Sequence, residues 1–264
     1  MNINFYETML INREVLLKGI HMNLDMPTPE VSGFVRTLNN MGYMTSALDP
    51  YSLAFTTFAP AAPGPALDIG AAYGIATLAA LAGGARVIAN DIDARHLDIL
   101  SSRAPQEFRS RLVLAPGAFP NELSMSEPCG AILIARVLHF FAPAELKVGL
   151  AQAASWLAPG GKLFIVTETP YLKNFASFTP VYEARRAAGE EWPGLILNVA
   201  GFAPDRARFL PPLMHFLDPD VLRREASRAG LIVESCEFIS RTDFPEDIRL
   251  DGRESVGLVA RKGN

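Results

Sequence analysis

The chain predicts an α/β domain built on a parallel sheet, and three observations carry that prediction. An apolar run, residues 65–69, ends in Gly70. A helix-patterned stretch follows, and residues 86–89 restart a strand that ends on Asp91. With 264 residues, 49% of them hydrophobic, the chain can bury one large core and needs no second complete domain.

The elements follow in order. Residues 29–38 carry Val31, Phe34, Val35 and Leu38 at helical spacing, with Thr28 as cap, Pro29 as first residue and Gly42 as the stop. Asp49-Pro50 repeats the cap-and-proline signature, so residues 51–58 read as a second helix, leading through Pro60, Pro63 and Pro65 into the first strand. Residues 65–69 fit a buried parallel strand feeding a tight turn. Residues 75–81 form a helix that stops at Gly83-Gly84, and the second strand of a βαβ unit then ends at Asp91. Gly70 and Gly74 lack a Cβ, so the turn between them lets a ligand approach the N–H groups of the following helix. Residues 143–157 place Leu146, Leu150, Ala153 and Leu157 on one helical face. Residues 167–217 lack a strand pattern and hold Tyr171, Phe175, Phe178, Tyr182, Trp192, Phe202, Phe209 and Phe216 among several prolines.

Two cofactor classes use such a βαβ unit, and spacing separates them. A dinucleotide fingerprint is G-x-G-x-x-G, whose close glycines admit a pyrophosphate. Here the pattern is Asp68-x-Gly70-x-x-x-Gly74, and an acid beside the turn repels a pyrophosphate while favouring a cationic amine or sulfonium. A carboxylate at Asp91 is placed to accept hydrogen bonds from both ribose hydroxyls. Residues 67–74 resemble motif I of the class I S-adenosylmethionine-dependent methyltransferases, a D-x-G-x-G-x-G turn around the methionine part of the cofactor, with Ala72 where the family usually has its middle glycine.

The resemblance continues along the last three-quarters of the chain. Residues 111–115 look like the third strand, and 116–120 occupy the place where the family often writes G-D-A, here without the acid. Residues 131–135 read as the fourth strand and 136–141 as the segment after it. Residues 157–166 are close to the L-x-P-G-G-x-L hairpin leading into the fifth strand, and 218–230, 231–239 and 256–262 supply the last helix and two strands. The fold implied is Rossmann-like: a seven-stranded, mostly parallel sheet with an antiparallel last strand, flanked by helices. An N-terminal helical cap over 1–60 would precede a domain over 61–264, with a lid insertion at about 170–217. The cofactor implied is S-adenosyl-L-methionine. Asp68, Gly70, Ala71, Tyr73 and Gly74 would shape the methionine pocket, Asp91 would hold the ribose, Ala118 and Phe119 would border adenine, and Ile92 and Arg136 complete the set.

The expected function is methyl transfer to O or N of a small organic molecule, because extra segments before the first strand and after the fifth commonly roof the pocket in small-molecule members. A protein or peptide methyltransferase and a non-catalytic S-adenosylmethionine-binding scaffold are the alternatives; a nicotinamide oxidoreductase is disfavoured by Asp68 and the glycine spacing. Methyl transfer asks for alignment and, for a hydroxyl acceptor, removal of a proton. His139, after the fourth strand at the carboxyl edge, leads as base; His215, at the end of the lid, is second. Glu168 and Tyr171 follow the fifth strand, and His21 and His96 read as surface or packing histidines. Arg185, Arg186, Arg206 and Arg208 are either a clamp for an acidic substrate or a solvated face. Metal-dependent catechol-type members place acids after the fourth and fifth strands; with Arg136 and His139 after the fourth and only Glu168 after the fifth, no metal is expected.

A net charge of −4 argues against a nucleic-acid grip built on phosphate neutralisation. No segment has the length of a membrane span, and residues 1–10 lack a cationic start with an apolar core, so a cytoplasmic protein is expected. A homodimer is left open. Cys129 and Cys236 read as reduced core thiols.

Overall fold

The computed structural model describes residues 26–29, 34–207 and 209–263. It opens with strands β1 (Phe34–Arg36) and β2 (Tyr43–Thr45), paired antiparallel as a hairpin. This corrects the helix expected over 29–38. Phe34 and Val35 are buried, but as successive residues of a strand whose turn closes with Thr37 N–H donating to Gly42 O at 3.1 Å. Residues 30–33 and His21 lie outside the described residues.

Helix α1 (Pro50–Phe58) starts as the sequence predicts: the Asp49 carboxylate accepts from the N–H groups of Tyr51 and Ser52. Then follow β3 (Ala66–Ile69), α2 (Ile75–Ala82), β4 (Val87–Asp91), α3 (Ala94–Arg103), β5 (Leu112–Pro116), β6 (Cys129–Ala135), α4 (Pro143–Trp156) and β7 (Leu157–Glu168). The segment after β7 holds α5 (Thr179–Ala187), β8 (Leu195–Ile196), α6 (Pro204–Ala207) and β9 (Met214–His215); β8 and β9 pair antiparallel. The chain returns to the sheet through α7 (Pro219–Arg228), β10 (Leu231–Ile239) and β11 (Ser255–Lys262).

Seven strands form one sheet in the order β10-β11-β7-β6-β3-β4-β5. The pairs from β7 to β5 are parallel, and β11 runs antiparallel between β7 and β10. Both faces are covered. Along β6 successive side chains alternate: Ile132 and Ile134 pack with Leu146, Leu150 and Leu222 of α4 and α7, whereas Ala131 and Leu133 pack with Phe55 and Leu81 of α1 and α2. Burial on both faces explains why β3 and β6 read as near-continuous apolar runs.

The lid is packed as a core of its own. Tyr171, Phe175, Phe178, Tyr182 and Phe216 are buried together with Phe34 of the hairpin and Phe244 of the β10–β11 loop. Tyr182 Oη donates to Asp218 Oδ2 at 2.6 Å, and Asp218 Oδ1 caps α7 by accepting from Val221 N–H, so the lid is anchored to the sheet-covering helix. Cys129 and Cys236 are buried free thiols, pushed up to about 12 by burial. Among the described residues no helix is long and apolar enough to cross a membrane.

Candidate functional site

The strand order reverses between β3 and β6, and crevices at the carboxyl ends of such strands bind ligands in open α/β sheets. A cavity of about 260 Å³ lies there, touching Asp68 and Ile69 of β3, Asn90 and Asp91 of β4, Ala135 of β6 and Glu168 of β7. The hairpin (Phe34, Tyr43, Met44) and the lid (Phe175, Met214, Phe216) also line it.

At the β3 side, Thr77 Oγ1 donates to Asp68 Oδ2 at 2.7 Å. Burial pushes the Asp68 carboxyl up to about 6, opposed by the Thr77 hydrogen bond and reinforced by the Asp91 charge. Gly70 (φ 73) turns the chain out of the strand, and Ala72 (φ 46) takes the left-handed conformation that favours glycine. The turn is held there from across the crevice, because Ala72 N–H donates to Asp91 Oδ2 at 2.9 Å. Asp91 Oδ1 accepts from Asp93 N–H at 2.9 Å and sits 3.0 Å from His96 Nδ1.

His96 is 1% exposed and lines the cavity. Leu38 N–H donates to its Nε2 at 2.9 Å, so that nitrogen carries no proton and Nδ1–H is the donor to Asp91. The hairpin is thus tied to the carboxylate at the end of β4, and Tyr73 Oη adds a second tie by donating to Arg36 O at 2.7 Å. Reading His96 as a packing or surface residue missed this link. Its partner lies 58 residues away in sequence, which local pattern does not reveal.

The β4–β5 side is rigid: Asn90 Nδ2 donates to both Ala115 O and Gly117 O. Ala118 and Phe119 line the cavity, but the Ala118 N–H is taken by Glu122 Oε2 at 2.9 Å, leaving the apolar surface. Ile92, 60% exposed, stands at the rim.

At the far side, Arg136 directly follows β6 in the left-handed region (φ 62). Non-glycine residues held there cluster at functional sites. Its Nε lies 3.2 Å from Glu168 Oε1, and Glu168 Oε2 accepts from Ser255 Oγ at 2.8 Å. His139 is buried, with Nδ1 3.4 Å from Thr167 Oγ1. Burial pushes its imidazole down to about 4, against the pull of the Glu168 carboxylate and helped by the Arg136 charge.

Of the residues expected at the site, Asp68, Gly70, Ala71, Asp91, Ile92, Ala118, Phe119, Arg136, His139 and Glu168 line this cavity. Tyr73, Gly74, Tyr171 and His215 do not. Tyr171 Oη donates to Glu183, and Gly74 packs on Leu100 of α3. His215 Nδ1 donates to Phe141 O at 3.1 Å and its ring meets Trp192 edge-on at 5.1 Å, so it fastens β9 to the segment after β6 and is not placed as a base. Of the four lid arginines, Arg185 donates to Leu195 O, Arg186 pairs with Asp220, and Arg206 lines the cavity; Arg208 lies outside the described residues. Among the described residues no three His, Cys, Asp or Glu side chains gather as a metal site.

Comparison with known proteins agrees with this geometry. Residues 66–161 match a family model described as a methyltransferase domain. Solved structures that the chain is similar to include the following three. One is the glycopeptide N-methyltransferase MtfA complexed with S-adenosyl-L-methionine, at 17% identity over 80% of this chain and 92% of that one, TM-score 0.54. Another is a methyltransferase from Methanosarcina mazei, at 15% identity over 82% and 99%, TM-score 0.58. The third is the CcbJ methyltransferase from Streptomyces caelestis, at 15% identity over 82% and 91%, TM-score 0.56. No curated protein matches the chain. Residues 66–161 thus match a methyltransferase domain, and the likeness to these structures shows the fold of the class I S-adenosylmethionine-dependent methyltransferases. The chain's donor set suits that cofactor, since Asp68 and Asp91 place two carboxylates in the cavity where a sulfonium and an ammonium need countercharge.

Proposed function

We propose that this enzyme methylates O or N of a small organic molecule enclosed between the sheet and the lid. The observation that carries this reading is a single cavity, continuous from Asp68 and Asp91 at the strand ends to Phe175, Met214 and Phe216 under the lid, with the hairpin closing over it. A protein or peptide acceptor would need an open groove, and here the lid is packed on its own aromatic core. Bound S-adenosylmethionine supplies a methyl group already activated on sulfur. The protein's part is to bind, align and take a proton. Asp68, Gly70 and Ala71 border the methionine portion, Asp91 holds the ribose, and Ile92, Ala118 and Phe119 border adenine. Asp91 uses three of its roughly four acceptor positions within the protein, which fixes the direction of what remains for a hydroxyl.

Calorimetric titration with S-adenosylhomocysteine is the first test; absence of binding at millimolar ligand would end the proposal. Asp91→Ala is expected to weaken binding by about 1–3 kcal/mol, the range for losing a partner of buried polar groups. Unchanged affinity in a variant that melts normally would remove Asp91 from the site. A second test uses pH. Because burial holds the Asp68 carboxyl up at about 6, a cation bound beside it favours the ionised form and lowers that value. The affinity for S-adenosylmethionine is therefore expected to fall as pH drops below about 6, approaching tenfold per unit. Asp68→Asn should remove this dependence, and a pH-independent Kd in the unmodified enzyme would show that Asp68 does not face the cation.

A further inference from the structure

The cavity is divided by charge. Near β3 and β4 it carries Asp68 and Asp91, and at the start of α1 Asp49, whose carboxylate accepts from Tyr51 N–H, Ser52 N–H and Ser52 Oγ; under the lid its charged lining is Arg136, Arg206 and Glu168. Glu168 is paired with Arg136, its Oε1 lying 3.2 Å from Arg136 Nε without a hydrogen bond, and its Oε2 accepts from Ser255 Oγ. The Asp243 carboxylate nearby is held by Nε and Nη2 of Arg241. Among the described residues Arg206 makes no ion pair, so of the two arginines on this cavity Arg136 is matched by Glu168 and Arg206 has no carboxylate of its own. A cation in a largely apolar enclosure is costly unless it finds a partner.

Hydrogen-bonding capacity points the same way. Among the described residues Arg136 Nη1 and Arg206 Nε are both buried donors with no hydrogen-bond partner. The Arg136 guanidinium cannot swing away, since it lies between the rings of Phe34 and Phe244, at 5.7 and 5.1 Å, and is pinned by Glu168. Arg206 stacks over Tyr43 at 5.8 Å. Asn174 Oδ1, on the same cavity, is a buried acceptor with no partner. Two free donors on cations and two free acceptors, Asn174 Oδ1 and Glu168 Oε1, set among Phe175 and Phe216, define a complementary ligand: a flat apolar body with an anionic oxygen group for the cations and a hydroxyl for an acceptor.

Resting on the reading that this cavity takes a small methyl acceptor, we infer that the acceptor is an aromatic hydroxy acid whose anionic group is bound by Arg136 and Arg206. The acids at the other end, matched to a cationic cofactor, keep that anion from entering in the reverse sense. The two ligands are thereby sorted by charge before any shape is read.

The test measures binding to the protein saturated with S-adenosylhomocysteine. Probes are hydroxybenzoate and hydroxynaphthoate isomers, each against its carboxamide, with Kd read by saturation-transfer NMR. The acids are expected to bind at least tenfold more tightly than the matched amides. Arg206→Met should abolish that preference, Arg206→Lys should retain most of it, and both variants should keep the S-adenosylhomocysteine affinity within about twofold. Equal affinity for acid and amide, no binding of either, or a preference that survives in Arg206→Met would each overturn the inference while leaving the methyltransferase reading intact. Failure of S-adenosylhomocysteine itself to bind would instead overturn the reading on which it rests.

Discussion

Replacing His139 by glutamine is expected to lower kcat by about 10²–10⁴-fold, the contribution of a positioned general base, with S-adenosylhomocysteine affinity unchanged within about twofold. The expectation rests on place first. His139 follows β6 at the carboxyl edge of the sheet and borders the same cavity as Asp68 and Arg136. Burial then decides its charge: pushed down to about 4, the imidazole is neutral at physiological pH and has a lone pair free for a proton. That proton would come from the acceptor O–H or N–H as the new bond to carbon forms. The imidazolium so formed gains from the Glu168 carboxylate, which is why the pair is useful even though a buried histidine is a weak base at rest. At saturating S-adenosylmethionine, where the Asp68 dependence of cofactor binding drops out, the acid limb of kcat/KM for the acceptor should accordingly lie near pH 4 and not near 6.5. The same displacement has a consequence for stability. The folded value is depressed, so the unfolded chain takes up the proton first, and stability falls as pH drops from 6.5 to about 4. The loss amounts to about 3 kcal/mol, and below pH 4 this group adds nothing further. His139→Gln should remove that component from urea-unfolding curves taken across the window. A kcat within fivefold of the parent would reduce His139 to a packing residue.

What the sequence makes legible, and what it hides, divides along the range of the interactions. The glycine turn after β3, Asp91 at the end of β4 and the Asp49-Pro50 helix start are all local signals, and each stands where its pattern places it. The central strands were readable because burial on both faces demands unbroken apolar runs. The hairpin was not readable. Phe34, Val35 and Leu38 satisfy a helical period by accident of a short window, and only pairing with Tyr43–Thr45 reveals a strand. His96 and His215 exchange expected importance for the same reason. Each is defined by a backbone partner far along the chain, Leu38 N–H for the first and Phe141 O for the second. The lid aromatics divide between lining and core, with Phe175 and Phe216 on the cavity and Phe178 and Tyr182 behind them, a distinction made by packing alone.

Gly74 carries the other large expectation, because the structure assigns it a different job from the one its motif implies. It precedes α2 in the left-handed region (φ 82), and a Cβ there would stand 2.4 Å from Leu100 Cγ and 2.6 Å from its Cδ1. An L-residue in that conformation costs about 1–2 kcal/mol. Forcing Leu100, buried in the α3 contact, to move adds an overpacking cost of about 1–3 kcal/mol. Gly74→Ala is therefore expected to lower the unfolding free energy by about 2–5 kcal/mol. Because Gly74 does not border the cavity, the folded fraction should bind S-adenosylhomocysteine within about threefold of the parent. Truncating the neighbour separates strain from clash. Leu100→Ala alone leaves a cavity and costs about 2–5 kcal/mol, but in the Gly74→Ala background the new methyl fills part of that space. The double variant should be more stable than the sum of the single losses by at least about 1 kcal/mol. Strict additivity would mean that backbone strain alone fixes the glycine. Parental stability combined with a loss of affinity would return Gly74 to the methionine pocket, as the family motif implies, and would mean that α2 begins at this position to serve the ligand and not the packing of α3.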